Sequence, residues 1–509
     1  MVRMLGADHV TNKLQTVAVV GYGMSGAATA IALHDLGLDV TIYEKNASPG
    51  GISLLSGGGI RISTNADQTA TYLKHLCGDT VSDLIIKKFS QSMSEIEYWI
   101  DDLCKQTNCS FEKLTNDKLY GQVYDYPGHD SLQFLRVNQA PLTFEYKDLV
   151  MSSGSKFGVM LFNMLRLNVE KRNITVKYNS GVKQPKEIDH DIVVLSCGGF
   201  ENNDSMKKDY FQGQPILING YPHNTGDGIK YAQSLGADLW HMRLYHGSYG
   251  FDMGNGVGAR VKGFTTYMPG TMPPDPFKTL RFIIVDAEGK RFMNEWPPYY
   301  TDHSYRPMET YNFTKQMFDR IPAYFIADET SRQAGPWGTV RSYGCDVADW
   351  SNDNEQEIKN GVLTKHRSIQ SMANEIGCSV DTLNQTINDW NKIVDTKDDT
   401  LGRPIIGNEQ IQDAPYYVGK LYPVVGNTQG GPKTNHHRQV LDAFGDVIPN
   451  LYTAGECGSI FGNIYMSGGN ISECFISAQQ IKNKIKEQLD DKVYRFNQDV
   501  RRSTSQVTA

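Results

Sequence analysis

The sequence predicts an α/β fold in which a doubly wound parallel sheet is interrupted by an inserted α+β lobe. Three features lead to it. Residues 15–45 read as strand, glycine turn, helix and strand; residues 449–471 read as strand, loop and helix; the stretch from about 300 to 415 is richer in polar helix. Sheet elements at both ends of the chain make the larger domain discontinuous. Its first part is expected at residues 12–240 and its second at 421–490, with a capping or catalytic lobe at 241–420 and a polar C-terminal tail at 491–509.

Composition narrows the function classes. The 509 residues carry a formal net charge of -7 with no basic stripe, so nucleic acid has no electrostatic footprint to bind. No apolar run approaches the roughly 20 residues that span a bilayer, which argues against an integral membrane segment. The opening MVRMLGADHV lacks the apolar core of an export signal, and a cytoplasmic location is the default expectation. The eight cysteines form neither a C-x-x-C pair nor a zinc-spaced cluster, so reduced thiols and no metal are expected.

In the first unit, QTVAVVG is a β-branched apolar strand, MSGAATAIALHDLG a helix of small residues and LDVTIYEK a second strand. Gly21-Tyr22-Gly23-Met24-Ser25-Gly26 forms a G-x-G-x-x-G at the turn, and Glu44 ends the second strand. A dinucleotide needs one glycine for the tight turn, one for backbone approach to the pyrophosphate and one for helix–strand packing, with a carboxylate accepting from ribose. Gly21, Gly23, Met24, Ser25, Gly26, Glu44 and the adjacent Lys45 are therefore candidate cofactor contacts of a Rossmann-like domain.

Two further segments favour FAD over NAD. SPGGISLLSGGGIRIS, residues 48–63, extends the backbone-lined groove through Gly51, Ile52, Ser53, Gly57, Gly58 and Gly59. Its GGISLLSGGG core has no histidine for covalent attachment, so the FAD is expected to be non-covalent. PNLYTAGECG, residues 449–458, fits a returning strand that brings Gly455 and Glu456 to the ribityl chain, a plain strand-turn-helix being the alternative. The uncharged GNIYMSGGN at 462–470 then leads into a helix from about Ile471, with Gly468, Asn470 and Ile471 closing over the flavin.

Between these ends, VVLSCGGF at 193–200 is a strand entering a glycine pair, with Gly199 as a cofactor candidate. TGDGIKYAQSLGADL at 225–239 reads as a helix capped by Asp227, and RFIIVDAEGKRFMNE at 281–295 as a hairpin turning at Glu288-Gly289. Tyr120, Tyr124 and Tyr126 in LYGQVYDYPGHD are either an aromatic pocket wall or loop anchors.

Taken in order, GYGMSG, SPGGISLLSGGGI, CGGF, TGDGI, GKRFMNE, NTQGGP, YTAGE and GNIYMSGGN resemble the flavoprotein superfamily of soluble fumarate reductases and 3-ketosteroid dehydrogenases, over residues 15 to 485. The resemblance implies FAD and a substrate held between flavin and lobe. The departures concern charge. Where the fumarate branch has a proton-delivering arginine this chain has Tyr299, where it has a carboxylate-clamping arginine the chain has Met466, and its H-H-T is replaced by Gly426-Asn427-Thr428. A dicarboxylate taken from water needs charge-assisted partners, so fumarate is disfavoured.

The resemblance is closer to the ketosteroid branch. It implies that Tyr299 acts as acid or base, with Tyr300 or His246 as a relay. The Tyr465 hydroxyl and Gly469 N–H would polarise the carbonyl, and Ser467 resembles a hydroxyl of relatives acting at the C4–C5 bond. Oxidation beside a carbonyl sends a proton to a base and a hydride to flavin N5; each donor facing the enolate oxygen contributes roughly 3 to 4 kcal/mol. The expected activity is thus FAD-dependent oxidoreduction of a C–C bond adjacent to a ketone, in either direction, on a steroid-like or other small apolar substrate. No C-x-x-C-H heme motif occurs, so the electron donor or acceptor is an unidentified partner. An ene-reductase for an unsaturated acid or natural-product enone is the alternative, the acid requiring a basic pocket. A non-catalytic binding protein on this fold has no use for Glu44, the glycine groove and Glu456 together.

Overall fold

The computed structural model of the chain describes residues 15–114, 123–150, 156–262, 281–295, 303–405 and 407–507, with side chains as far as 491. The predicted first unit forms as β1 (Thr16–Val20), α1 (Met24–His34) and β2 (Asp39–Tyr43). β1 lies between β2 and Ile192–Leu195, parallel to both; Thr175–Lys177 continues the parallel sheet beyond β2. On the other side Val447–Thr453 adds parallel to Ile192–Leu195, and Gln439–Leu441 closes the edge antiparallel. Val17, Ala18, Val19 and Val20 are all buried, as expected of a parallel strand covered on both faces.

α1 packs against the C-terminal helix Gly469–Val507, and its buried Ala27, Ala28, Ala30 and Ala32 permit close approach. That helix continues through the segment expected as a polar tail. Two distant ends of the chain thereby share one core.

The lobe is built on the long strand Tyr416–Thr428. It pairs antiparallel with Tyr245–Asp252, Ala323–Asp328 and Leu363–His366, and parallel with Leu217–Ile218. This strand crosses the expected boundary at 420/421, and its far end returns to the dinucleotide domain, where Thr428 Oγ1 accepts from the Phe200 amide at 3.0 Å. A three-stranded antiparallel sheet of Gly59–Ser63, Leu132–Gln139 and Ser110–Leu114 brings Gly59 and Phe134 to the cavity described below.

Two local expectations change. The hairpin keeps its first strand, Ile283–Val285, and its turn, with Gly289 at φ 78°, but the second strand shrinks to one bridge between Val285 and Arg291. Arg291 and Glu295 are drawn instead into a buried ion cluster: Arg291 pairs with Glu295 at 2.7 Å and Asp399 at 2.8 Å, while Arg403 pairs with Glu295 and Glu409, each at 3.2 Å. The helix expected at 225–239 is short, Asp227–Gln233, and Asp227 does not cap it. Gly226, left-handed at φ 74°, takes the cap position, and the Asp227 carboxylate is held by Lys45 Nζ at 2.9 Å and Thr225 Oγ1 at 3.1 Å.

Burial raises the Glu295 carboxyl, but the hydrogen bond from Arg291 and the Arg403 charge outweigh it and hold the group below its ordinary value. A depressed carboxylate contributes stability above its unfolded pKa of about 4, and loses it as pH falls through the lower folded value. Glu295→Gln strands buried guanidinium charge and is expected to cost about 3–5 kcal/mol at neutral pH. Thermal unfolding checks this: the gap between variant and wild type should shrink in acid below pH 4, and an unchanged neutral-pH midpoint contradicts it.

Candidate active site

A cavity runs between the sheet ends and the lobe, lined from the βαβ turn, the 50–59 loop, the 196–198 turn, the 454–456 strand end, the 465–471 loop and the lobe's central strands. At its dinucleotide end the glycine chemistry follows from sterics. Gly21 sits at φ +107°, and a Cβ there would lie 2.4 Å from the Ser196 carbonyl oxygen. Gly23 and Met24 carry the helix start, where the Met24 amide donates to Ser53 Oγ at 3.1 Å. Glu44 is buried and clamped by two amides, Tyr22 to Oε2 at 2.9 Å and Asn46 to Oε1 at 2.8 Å. Burial pushes its carboxyl up, against the pull of those bonds. Each oxygen keeps a lone pair, and the carboxylate lies on the cavity wall.

Most predicted cofactor contacts reach this wall: Gly21, Gly23, Met24, Ser25, Glu44, Lys45, Gly51, Ile52, Ser53, Gly57, Gly59, Asp227, Glu456, Gly468, Asn470 and Ile471. Gly26, Gly58, Gly199 and Gly455 do not, because each is needed for packing behind it. Added Cβ atoms there would meet the Gly21 carbonyl oxygen at 1.9 Å, the Phe157 carbonyl at 2.3 Å, Thr428 Oγ1 at 1.9 Å and Ser25 Cβ at 2.8 Å. Gly198, which the sequence did not single out, lines the cavity in place of Gly199.

The residues present fit a dinucleotide. Ser25 Oγ, Ser196 Oγ and Asn470 Oδ1 are buried on or beside this wall without a hydrogen-bond partner. Asn470 and Ile471 lie in the first turn of a long helix, whose amides have no acceptor within it. The Glu456 carboxyl, half-buried on the wall, is pushed up by burial and then by the charges of Glu201 and Glu473. Glu201 itself is pushed up to about 7 by burial.

At the other end the loop of residues 462–470 places Tyr465 and Ser467 on the wall. The Tyr465 hydroxyl accepts from the Gly468 amide at 3.1 Å, and its ring centroid lies 4.4 Å from that of His246. His303 Nε2 accepts the Tyr465 amide at 2.9 Å, and His246 Nδ1 is 3.0 Å from Asn427 Oδ1. The Ser467 carbonyl accepts from Arg61 Nε at 2.9 Å. Gly469 departs from expectation: its N–H donates to the Met466 carbonyl at 2.7 Å in the turn that starts the helix. Met466 is fully buried behind the wall rather than on it.

Tyr120, Tyr299 and Tyr300 lie outside the described residues. Tyr124 and Tyr126 stack on each other at 5.7 Å, and the Tyr124 amide donates to Tyr72 Oη at 3.1 Å. They anchor a loop away from the cavity. Sequence reading missed Arg260, Arg341 and Ser248, three lobe residues on the wall. They sit in GARVKG, TVRSYG and HGSYG, which form no motif, and only tertiary pairing brings them together.

Fold and cavity define an FAD-dependent oxidoreductase. The chain belongs to the FAD binding domain family, whose model matches residues 146–471; a second model, FAD dependent oxidoreductase, matches residues 16–135. It is similar to the NADH:acrylate oxidoreductase of Vibrio harveyi, 23% identical over 90% of this chain, which spans 49% of that protein's length. It is also similar to the 3-oxosteroid 1-dehydrogenase of Mycolicibacterium smegmatis, 24% identical over 91% of this chain and 95% of the relative. Fumarate reductases are among the other relatives. A crystal structure of 3-ketosteroid delta1-dehydrogenase from Sterolibacterium denitrificans, in complex with 1,4-androstadiene-3,17-dione, shares the fold with a TM-score of 0.72 at 19% identity, covering 92% of this chain and all of that one. The cofactor is FAD, and the chain is an FAD-dependent oxidoreductase. Among the described residues no helix is long and apolar enough to cross a membrane.

Proposed function

We propose that the enzyme exchanges two hydrogens across a C–C bond adjacent to a carbonyl, with Tyr465 moving the proton, a change from the sequence expectation, which gave the proton to Tyr299 and the polarising of the carbonyl to Tyr465. The observation that carries this reading is Tyr465, which lines the cavity with its hydroxyl bonded by the Gly468 amide and its ring packed against that of His246. An amide donating to the phenol oxygen stabilises negative charge there, which makes the hydroxyl a better acid and its phenolate, a weaker base, more populated at neutral pH. Non-covalent FAD, when bound, supplies the two-electron exchange. The chain's own residues hold the cofactor through Glu44, Glu456 and the glycine loop, fix the Tyr465 backbone through His303 and fix the His246 ring through Asn427.

The sequence favoured an apolar ketone because Met466 replaces an arginine. The burial of Met466 behind the wall removes that support, since an uncharged residue there does not report on the ligand. Met466→Arg would place an unpaired charge in the core; it is expected to destabilise the protein by several kcal/mol and release FAD on mild heating, read from flavin fluorescence. Retention of the wild-type midpoint contradicts that placement.

A single turnover of enzyme-bound reduced FAD with an α,β-unsaturated carbonyl compound in D2O tests the reaction. Deuterium is expected at both carbons of the saturated product, at the carbon α to the carbonyl from the proton donor and at the β carbon by way of the solvent-exchangeable flavin hydrogen. Saturated product without label at the α carbon contradicts the assignment.

A further inference from the structure

The lobe end of the cavity contains a concentration of positive charge with no counter-ion among the described residues. Arg260 lies on the strand Gly258–Val261, paired with Thr339 of the neighbouring strand, and Arg341 follows two residues beyond that Thr339. Both line the cavity, Arg341 only 8% exposed and Arg260 half-buried. The Nε of each is buried without a hydrogen-bond partner, and among the described residues neither guanidinium forms an ion pair. Burial, then the charge of Arg341, pushes Arg260 down to about 9, and burial depresses Arg341 as well. Two adjacent guanidiniums out of water with no anion are costly, and such groups persist where a ligand completes them.

Donors stand close by, together with one unpartnered acceptor, Asn219 Oδ1. Ser248 Oγ and Asn427 Nδ2 are on the same wall, buried and without partners, while Asn427 Oδ1 is taken up by His246. Gly426 makes the space: a Cβ there would come 2.7 Å from Arg260 Nη2. Gly426 is the position at which the fumarate-type H-H-T pattern begins, so the side chain missing from that column is what admits the Arg260 guanidinium. Positive charge has moved from the loop columns to a pair of lobe strands.

We propose that Arg260 and Arg341 clamp one carboxylate, and that the substrate is a monocarboxylate carrying its C–C double bond, or the corresponding single bond, next to that group. A single carboxylate is indicated because the only other cation on the described wall is Lys45, which is paired with Asp227 at the dinucleotide end. The rest of the substrate end presents Phe134, His246 and Tyr465, which suits an uncharged β-substituent. The inference rests on the reading of Tyr465 as the proton-moving group beside a carbonyl. In the reducing direction the C=C bond is lost: the β carbon gains a hydride drawn from the bound cofactor and the α carbon gains a proton from Tyr465. Two electrons are transferred in total, and the carboxylate is unchanged.

The test compares trans-crotonate and trans-cinnamate with their methyl esters, fumarate and 2-cyclohexenone on the FAD-loaded enzyme. Equilibrium binding is read by calorimetry, and turnover by a reduced viologen dye. A free monocarboxylate is expected to bind at least ten-fold more tightly than its ester and than fumarate. Arg341→Met is expected to weaken acid binding about 30-fold or more, with bound FAD unchanged and Arg341→Lys recovering part of the loss. Equal binding of acid and ester, preference for fumarate, or an Arg341→Met variant with unaltered acid affinity overturns the clamp. The acid–ester comparison needs no variant and decides the matter if the variants do not fold. Turnover of 2-cyclohexenone without turnover of either acid removes the carboxylate proposal and leaves the C–C chemistry standing; failure of every compound to accept electrons removes the chemistry itself.

Discussion

Replacing Tyr465 by phenylalanine is expected to lower turnover by about 10²- to 10⁴-fold, the usual contribution of a positioned proton donor, while bound FAD stays at the wild-type level. The substitution keeps what holds the ring: its contacts with His246 at 4.4 Å and Phe461 at 5.7 Å between centroids, and the backbone bond to His303. It removes only the oxygen that accepts the Gly468 amide. That amide then lacks its partner, a loss of about 1 kcal/mol to the loop, too small to explain a thousand-fold change in rate. Steady-state kinetics with the FAD content measured on the same sample separates the two effects. A Tyr465→Phe enzyme within a few-fold of wild type would show that the proton travels by another group.

The second large effect falls on the cofactor. Gly21→Ala is expected to yield protein that does not retain FAD. At φ +107° an L-side chain is strained by about 1–3 kcal/mol, and its Cβ would stand 2.4 Å from the Ser196 carbonyl oxygen, which belongs to the neighbouring turn and cannot withdraw without opening the sheet end. Gly26→Ala acts by a different route, since α1 would be pushed off β1 by a contact of 1.9 Å with the Gly21 carbonyl oxygen. The ratio of flavin to protein absorbance after gel filtration measures both. Gly37→Ala is a suitable control: that glycine has positive φ but open space around it, so only backbone strain is introduced.

The dinucleotide half was legible in the sequence because its determinants are local. A glycine turn between an apolar strand and a helix of small residues has few other uses, and Glu44 is fixed relative to it by the length of one helix and one strand. The union of the two chain ends was legible for the same reason, as each end carried half of a recognisable βα pattern. Gly26, Gly58, Gly199 and Gly455 show the limit. Composition says that a glycine is required, and only the packing says whether ligand or protein occupies the space beside it.

The substrate end was less legible because it is assembled from residues far apart in sequence. Arg260 and Arg341 are 81 positions apart and become neighbours through the pairing of Gly258–Val261 with Gly338–Thr339. Met466 looked like a wall residue because it occupies the column of a carboxylate-clamping arginine, yet its side chain is fully buried in the core. The Gly469 amide was misjudged as well: spacing located it beside Tyr465, but a turn closes by bonding it to Met466 at 2.7 Å. A clue was present in the replacement of a histidine column by Gly426, and it becomes readable only when the Arg260 side chain is seen in the space.

The central claim is that this flavoenzyme transfers two hydrogens across a C–C bond beside a carbonyl. The most direct measurement is to reduce the bound FAD anaerobically with one equivalent of dithionite and mix it with α,β-unsaturated acids and ketones while recording the flavin spectrum. At least one carbonyl compound is predicted to restore the oxidised spectrum, with one equivalent of saturated product formed. A flavin that stays reduced with every such compound, yet reoxidises with a quinone or dioxygen, would contradict the account.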